Sequence, residues 1–511
     1  MTERIKSSEQ PEVLEKLIKQ VAMGGGIALG GIITGKAVTF GLHVLLGRAM
    51  GLEAYGLYAL GISMMKIAQF IALLGLSHGI VRFCSLYRGV GDNARIKGII
   101  FSALRISLAS SAITSVILFV CSPLIGQRFF HEPNLTWVLH IFALAIPFYV
   151  VTSITSSFAQ SLRRIDIQQR VQNVFRPVVN LALVCLAFLL GFRLSGAIYG
   201  FVASGALSAG LGLYYLCKIF PEIFTSTPVY STNKLLKFSI PIFFTGILYL
   251  LLGYTDRIML GYFRQANEVG VYSAAYIIAS QIPIFLGAFL TIFSPMVSNL
   301  YHKRDYGKLE YLFKIVKKTI FSLSLPLVII LSVFSKNIII IVFGPGFIIG
   351  WMVLIVLGFV QLIITETAPA GMLLQMTGKQ NIEFVNGIVL LFTNIGLNIW
   401  LIPQYGVMGA AVATGISLVF MHILRLIEVA KILKIVPYDK RYFKPLIAGV
   451  FAMLVGITLN ITASPNMHWI WVLTRIILSL ITYVGVLLGM GLDWEDKIVL
   501  SAVKRRIRTL K

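Results

Sequence analysis

Residues 44–60 read VLLGRAMGLEAYGLYAL, and residues 258–274 read IMLGYFRQANEVGVYSA. Each stretch holds a Leu-Gly pair followed by a Gly-x-Tyr triplet, and one shift of about 214 residues superimposes both landmarks. Further along, SGAIYGFVAS at 195–204 corresponds to MGAAVATGIS at 408–417 at nearly the same shift. A tight turn that opens an apolar run, repeated with equal internal spacing, predicts a chain built from two copies of one unit.

The composition is that of a membrane protein. Of the 511 residues, 57% are hydrophobic and only 13% are charged, and the mean hydropathy is +0.87. Apolar runs of about 18 residues or more recur along the whole chain, and about 14 of them are long enough to cross a bilayer as a helix. The sequence therefore predicts an all-α polytopic membrane protein with about 14 transmembrane helices.

The repeat and the apolar runs together predict a domain organisation. Each copy holds six spans, so both copies enter and leave the membrane on the same side and form two pseudo-symmetric, parallel six-helix lobes. Two further spans have no counterpart and form an appended helix pair. The predicted segments are a cytoplasmic amphipathic segment (1–20), an N-terminal lobe (21–217), a cytoplasmic linker (218–237), a C-terminal lobe (238–433), the additional pair (434–491) and a basic cytoplasmic tail (492–511).

The net charge of +24 is explained by membrane topology rather than by nucleic-acid binding. Lys and Arg concentrate in alternate loops, among them Lys303 to Lys318, as the positive-inside rule describes for cytoplasmic loops. This pattern places both termini in the cytoplasm and the protein in the cytoplasmic membrane. The four cysteines lie in or beside separate apolar runs without CxxC spacing or a nearby His, so we expect no disulfide, metal or other cofactor.

Five segments carry a resemblance to a known family. They are LLGR (45–48), YGLY (55–58), DRIMLGYF (256–263), VGVYSAAY (269–276) and NIWLIPQYGVMGAAVAT (398–414). In order and spacing they resemble polysaccharide-transport flippases of the multidrug, oligosaccharidyl-lipid and polysaccharide flippase superfamily. The resemblance implies two lobes around a cavity that opens alternately to each side of the membrane. It also implies, as cargo, a polyprenyl phosphate or pyrophosphate bearing a short oligosaccharide, and as partners membrane lipids and the glycosyltransferases and polymerase of the same pathway.

Differences between this sequence and the related branches of the superfamily favour the general polysaccharide branch. Drug exporters of the superfamily usually carry a coupling Asp in the first or seventh span, and the first span here has no carboxylate. Lipid II flippases resemble SRVLGFVRD at the first turn, where this chain has LLGRAMGLEAY. A cation-coupled drug or metabolite exporter is the alternative. A membrane glycosyltransferase or polymerase is more distant, because the short outward loops offer only Glu53, Glu132 and Glu268 as catalytic carboxylates.

Cations near mid-membrane are the candidates for binding an anionic head group. A charge at that depth costs several kcal/mol by insertion scales, so one that is retained there usually faces a cavity. Lys36 and Lys66 lie near the middle of the first two spans, each within a polar helical face, although either could instead snorkel or pair at a helix interface. The predicted substrate-binding residues are Lys36, His43, Lys66, Gln69, Arg105 and Arg176.

The second copy lacks these cations and offers other candidates. Asp256 and Arg257 lie near the outer end of span seven, where a gating role and a structural role are both open. Glu366 is the most isolated carboxylate within a span and is a candidate for proton coupling, with hydrogen-bonded packing as the alternative. Arg425 and Glu428, at i and i+3, are expected to form a salt bridge.

Overall fold

The computed structural model describes residues 26–436, 438–461 and 469–491, and every regular element in these ranges is helical. The predicted amphipathic segment (1–20) and basic tail (492–511) lie outside the described residues. Eleven described helices are long and apolar enough to cross a membrane. Two of the eleven are interrupted by a single non-helical glycine each, Gly51 and Gly406. The predicted all-α polytopic membrane fold is confirmed, and the count of about 14 spans is approximate.

The described chain divides into two compact units. The first unit comprises residues 27–274 with 398–410, and the second comprises 275–397 with the described residues from 411 onward. The helices that lie wholly or mainly in the first unit are α1 (Gly26–Leu73), α2 (Leu76–Gly89), α3 (Asn93–Pro123), α4 (Pro133–Ser161), α5 (Ile165–Gln169), α6 (Arg176–Leu189), α7 (Leu194–Ile219), α8 (Glu222–Thr225), α9 (Thr232–Phe263) and α10 (Ala266–Ala279).

The second unit continues the chain with a further set of helices. They are α11 (Ile284–His302), α12 (Tyr306–Val333), α13 (Ser335–Phe343), α14 (Trp351–Met376), α15 (Gln380–Glu428), α16 (Phe443–Ile461) and α17 (Trp469–Gly489). Residues 398–410 of α15 belong to the first unit. The predicted lobe boundaries at 21–217 and 238–433 stay a prediction.

The duplication is visible in how corresponding helices begin. Helix α3 is capped by Asp92, whose carboxylate accepts the Arg95 backbone N–H at 2.9 Å, and helix α12 is capped by Asp305, which accepts the Lys308 N–H at 3.1 Å. In both copies the residue before the cap has a positive φ. Positive φ values recur at close to the shift of the sequence repeat in three pairs, Gly91 with Arg304, Arg163 with Gly378, and Gly191 with Gly406.

The two copies of the opening motif touch each other within the first unit. Gly56 on α1 lies against the Ala266 carbonyl and the Gly270 nitrogen of α10, and Gly270 lies against the Leu52 carbonyl of α1. Neither position has room for a Cβ atom, so the absence of a side chain at Gly56 and Gly270 is what permits this approach of two backbones. Gly56 and Gly270, which mark the repeat in the sequence, therefore also pack against each other's helix.

The predicted linker is held against helix α3. The Val229 backbone N–H donates to the Ala94 carbonyl at 3.0 Å, and the Lys97 ammonium donates to the Ser226 carbonyl at 2.6 Å. The Val229 carbonyl lies directly on Gly98, where a side chain would collide with it. Part of the segment is helical, since α7 ends at Ile219 and α9 begins at Thr232. Segment 218–237 is therefore fixed against α3 rather than free, and we call it the linker strap.

The appended helices α16 and α17 pack on helix α12. The Tyr483 hydroxyl donates to the Ser322 carbonyl at 2.9 Å, and the Asn460 amide donates to the Val333 carbonyl at 3.0 Å. An apolar cluster that includes Phe321, Ala448 and Tyr483 fills the space between these helices. The second face of α12 packs in another buried cluster with α11 and α14, so α12 is the central helix of the second unit.

Candidate functional site

Lys66 on helix α1 is fixed by a polar neighbour one turn further along. Its ammonium donates to Gln69 Oε1 at 3.0 Å. The Gln69 amide in turn donates to the Tyr149 carbonyl and the Ser153 hydroxyl of α4, both at 3.4 Å. Gln69 is only 8% exposed, so this short relay is an interior feature of the first unit. The i, i+3 spacing that puts Lys66 and Gln69 on one helical face thus lets their side chains touch directly.

A second predicted cation meets Lys66 over one aromatic ring. The Lys66 ammonium lies 4.8 Å from the centroid of the Tyr149 ring, and the Arg176 guanidinium lies 5.3 Å from the same centroid. Phe201 stacks on Tyr149 with 4.6 Å between centroids and an interplanar angle of 12°. Helices α1, α4, α6 and α7 each contribute one of these side chains, so the cluster depends on the packing of the whole unit.

No carboxylate in the described part of the chain balances this cation pair. Within the described ranges neither Lys66 nor Arg176 has an Asp or Glu oxygen within ion-pair distance. The two charges lie close enough to repel each other electrostatically. Ammonium and guanidinium groups that converge without a counter-ion form a site that attracts an anion, and phosphate oxygens are their preferred partners.

The other predicted cavity residues do not join this pair. Lys36 is half-buried on α1 beside Gly35, which packs on the Asn173 carbonyl in the segment leading into Arg176. Its ammonium forms no ion pair in the part of the chain that the structure describes. His43 Nδ1 lies 3.0 Å from the Tyr55 hydroxyl, and its ring meets the Tyr55 ring edge to face.

Arg105 contacts the linker strap. Its exposed guanidinium lies 5.5 Å from the centroid of the Tyr230 ring. Tyr230 is 47% exposed, so this contact is at the surface of the unit. The structure therefore gives Arg105 a different neighbourhood from that of Lys66 and Arg176, and a role for it in binding an anion stays a prediction.

Asp256 forms a buried polar junction between three helices. Its carboxylate accepts hydrogen bonds from the Tyr272 hydroxyl of α10 and, at 2.9 Å, from the Asn398 amide of α15. Asp256 is 7% exposed, so these donors satisfy a charge that water does not reach freely. Arg257 instead extends over the Tyr254 ring at 5.7 Å and lies in electrostatic range of His43.

Glu366 in the second unit has a partner that sequence reasoning missed. Its carboxylate lies 3.5 Å from the ammonium of Lys317 on α12, and the two residues are 7% and 0% exposed. The sequence grouped Lys317 with a basic cytoplasmic loop. That grouping was wrong because α12 already begins at Tyr306 and carries Lys317 three turns into the protein interior.

The segment before α16 covers this ion pair. The Tyr438 ring lies 4.1 Å from the Lys317 ammonium, and its hydroxyl lies 2.8 Å from His422 Nε2. Thr367 donates to the Ile363 carbonyl, so it accepts from His422 Nδ1–H at 2.8 Å, and the Tyr438 hydroxyl is left to donate to Nε2. Burial and the nearby Glu366 charge raise the pKa of Tyr438, which keeps that hydroxyl protonated.

The expected salt bridge between Arg425 and Glu428 is replaced by a contact between two turns of α15 that are far apart in sequence. Arg425 forms a bidentate pair with the buried carboxylate of Glu383. Glu428 accepts a hydrogen bond from the Asn386 amide at 2.6 Å. Long-range packing thus overrides the i, i+3 preference, because a buried carboxylate such as Glu383 is stabilised by a paired guanidinium.

Two of the three carboxylates assigned to outward loops cap backbone groups. Glu132 Oε1 accepts the Ala266 N–H at 3.0 Å, and Glu268 Oε2 accepts the Val407 N–H at 3.1 Å. Such carboxylates stabilise the first turns of helices, whose N–H groups have no partner inside the helix. Over the described ranges, no group of three His, Cys, Asp or Glu side chains is placed to hold a metal ion.

Comparison with known proteins identifies the family. The family described as polysaccharide biosynthesis protein matches residues 21–301. A membrane protein of Methanocaldococcus jannaschii is 24% identical over 431 residues, 78% of this chain and 84% of that protein. The probable flippase AglR of Haloferax volcanii is 27% identical over 252 residues, 48% of this chain and 51% of that protein.

Solved structures share the fold. The lipid II flippase MurJ in an inward closed conformation superimposes with a TM-score of 0.71 at 17% identity, covering 89% of this chain and 96% of that chain. An inward-facing multidrug resistance MATE transporter of the MOP superfamily gives a TM-score of 0.65 at 15% identity, covering 82% and 99%. The resemblance stated from the sequence is confirmed, and the chain belongs to the polysaccharide biosynthesis protein family, with a membrane fold like that of these solved transporters.

Proposed function

We propose that this chain is a flippase that moves a lipid-linked oligosaccharide across the cytoplasmic membrane by alternating access, for the synthesis of a cell-surface polysaccharide. The observation that carries the proposal is the meeting of Lys66 and Arg176 over Tyr149 without a carboxylate partner among the residues that the structure describes. A polyprenyl phosphate or pyrophosphate head is an anion that must pass through the low-dielectric interior of the membrane. Paired cations inside a helical unit supply the compensating charge for that passage.

The names of relatives support the same cargo class. Two proteins of Haloferax volcanii are named as a probable flippase and a probable low-salt glycan biosynthesis flippase, and one of Staphylococcus aureus as a capsular polysaccharide biosynthesis protein. In our proposal Lys66 and Arg176 bind the phosphate oxygens and Gln69 holds Lys66 in place. Lys36, His43 and Arg105 line the path on either side of this pair.

The carboxylates have gating or coupling roles in this scheme. Asp256 joins α9, α10 and α15 through its two donors, so a change in its hydrogen bonds would loosen three helices together. Arg257, beside His43 and Tyr254, lies next to this junction in the sequence. Glu366 and Lys317 form a buried pair that a proton would neutralise on one side. We propose Asp256, Arg257 and Glu366 as the residues that link cargo movement to a driving force.

We propose a transporter rather than an enzyme. Glu132 and Glu268 each accept a backbone N–H, so two of the three carboxylates predicted on the outward side have a structural use instead of forming a free pair for glycosyl transfer. We also propose that both termini lie in the cytoplasm, as the distribution of Lys and Arg in the loops predicts. No catalytic residue or cofactor is assigned.

Deletion of the gene followed by localisation of lipid-linked sugars tests the function. A flippase predicts intermediates that accumulate on the cytoplasmic leaflet of the membrane. A drug or metabolite exporter predicts no such accumulation, and a glycosyltransferase or polymerase predicts a truncated glycan, so either result would overturn the proposal.

Charge variants connect the function to the site. We expect Lys66→Glu and Lys36→Glu to abolish complementation of the deletion while the protein still inserts into the membrane. Arg193→Glu, at an exposed residue just before α7, is a matched control that should complement normally. Normal transport by both Lys66→Glu and Lys36→Glu would refute the assignment of an anion site to these cations.

A further inference from the structure

We propose that Tyr149 is a positioning residue whose ring holds Lys66 and Arg176 together as one anion site while no anion is bound. This inference rests on the proposed function, because it explains how the cation pair persists in an empty transporter. Tyr149 is 2% exposed and was not among the residues that the sequence singled out. Its importance follows from what surrounds it.

The Tyr149 ring is fixed in place from one side. Phe201 stacks on it nearly parallel, and the Tyr149 hydroxyl donates to the Phe201 carbonyl at 3.3 Å. Gly205, one turn further along α7, leaves the space that the ring occupies, since an added Cβ would lie 2.5 Å from Tyr149 Cε2. Residues of helix α7 therefore pack closely around the Tyr149 ring, which has little freedom to turn or shift.

The Tyr149 ring also attracts both cations. The face of an aromatic ring carries negative potential, and Phe201 occupies one of the two faces of Tyr149. Lys66 and Arg176 both approach the ring within 5.3 Å of its centroid. One ring thus attracts two charges that repel each other, which no single aliphatic side chain at position 149 would do.

Tyr149 also acts on Lys66 through its backbone. The Tyr149 carbonyl accepts the Gln69 amide, and Gln69 Oε1 accepts the Lys66 ammonium. Residue 149 therefore restrains Lys66 by two routes, one through the ring and one through Gln69. The backbone route survives any substitution of the side chain, so the two routes are separable by experiment.

The consequence concerns the empty transporter. A carrier has to complete its cycle without cargo, and two unbalanced cations would then separate and become solvated at different places. The Tyr149 ring replaces part of the missing anion and keeps both side chains in their binding positions. An arriving anion then meets an organised site, and less affinity is lost to ordering of long side chains.

Binding of inorganic pyrophosphate to the purified full-length protein in detergent, followed by calorimetry, tests this role. Tyr149→Phe keeps the ring and should bind within about twofold of the unchanged protein, whereas Tyr149→Leu should bind about tenfold more weakly. A trifluorinated phenylalanine at position 149 keeps the shape but weakens the negative face, so it should resemble Tyr149→Leu. Tyr405→Leu, at a residue that is 62% exposed, is the matched control.

Each outcome decides between explanations. Three results would overturn the positioning role: unchanged binding by Tyr149→Leu, equal weakening in Tyr149→Phe and Tyr149→Leu, or full affinity with the fluorinated ring. Packing or the hydroxyl, rather than the negative face of the ring, would then explain the effect of Tyr149 on binding. If Lys66→Met and Arg176→Met bind pyrophosphate as tightly as the unchanged protein, the anion site itself fails. That second result refutes the proposed function rather than the role of Tyr149 alone.

Discussion

Substituting Gly56 tests whether helices α1 and α10 depend on the close backbone contact between the two motif copies. In Gly56→Ala the added Cβ would lie 1.8 Å from the Ala266 carbonyl oxygen and 3.0 Å from the Gly270 nitrogen. Carbon and oxygen atoms need more than about 3 Å, so α1 and α10 would have to move apart by over ~1 Å. That movement would also stretch the hydrogen bond from Ala266 N–H to Glu132.

The size of the effect follows from the cost of overpacking. Inserting one methyl group where two backbones already touch costs about 1–3 kcal/mol, which shifts a conformational equilibrium by about 5- to 150-fold. Helix propensity acts in the opposite direction, because Ala stabilises a helix by about 0.5–1 kcal/mol relative to Gly. Gly41→Ala in the same helix α1 has no atom within 4 Å of the added Cβ and therefore controls for propensity alone.

The assay is thiol labelling at a residue that the contact hides. Leu60 is 0% exposed and packs beside Gly261 next to the motif contact. In a protein whose native cysteines are replaced by Ser, Leu60→Cys reports separation of α1 and α10 through its rate of reaction with a membrane-impermeant thiol reagent. We expect Gly56→Ala to raise that rate by about 5- to 150-fold and Gly41→Ala to leave it unchanged. Equal rates in the two variants would refute the reasoning.

Two further predictions address the second unit and the linker strap. Lys317→Met leaves Glu366 buried without its counter-charge and should lower the free energy of unfolding by about 3–5 kcal/mol, which would be measured as a lower Tm in detergent. Combining Lys317→Met with Glu366→Gln should recover most of the lost stability. A double variant that is no more stable than Lys317→Met would contradict the pairing of these two charges. Gly98→Ala should push the Val229 carbonyl away from α3 and increase trypsin cleavage of the strap, whereas Gly210→Ala, with open space around it, should not.

The sequence predicts the parts of this protein that depend on local pattern. Helices follow from apolar runs, and the duplication follows from landmarks that need only be compared with each other. Lys66 and Gln69 could be placed on one helical face because i and i+3 residues of a helix are neighbours. Glu366 could be singled out as the most isolated carboxylate within a span, because a charge at that depth is costly.

Other parts depend on packing that no local pattern encodes. Arg176 and Lys66 are far apart in the chain, and only the arrangement of α1, α4 and α6 brings them to one ring. The sequence did not single out Tyr149, because aromatic residues are common in apolar helices for packing alone. Lys317 was misplaced because a basic residue near a helix end looks the same whether the helix has already entered the interior or not.

The contact between Gly56 and Gly270 also has an evolutionary consequence. If the ancestor of this chain was a single repeat that formed a symmetric pair, the same glycine of each copy would have met its twin across the twofold axis. One mutation would then have altered both sides of that interface at once. After fusion of the two genes the sides mutate separately, yet each still abuts the backbone of the other copy. Selection therefore has to retain two independent codons for what was once a single self-complementary residue.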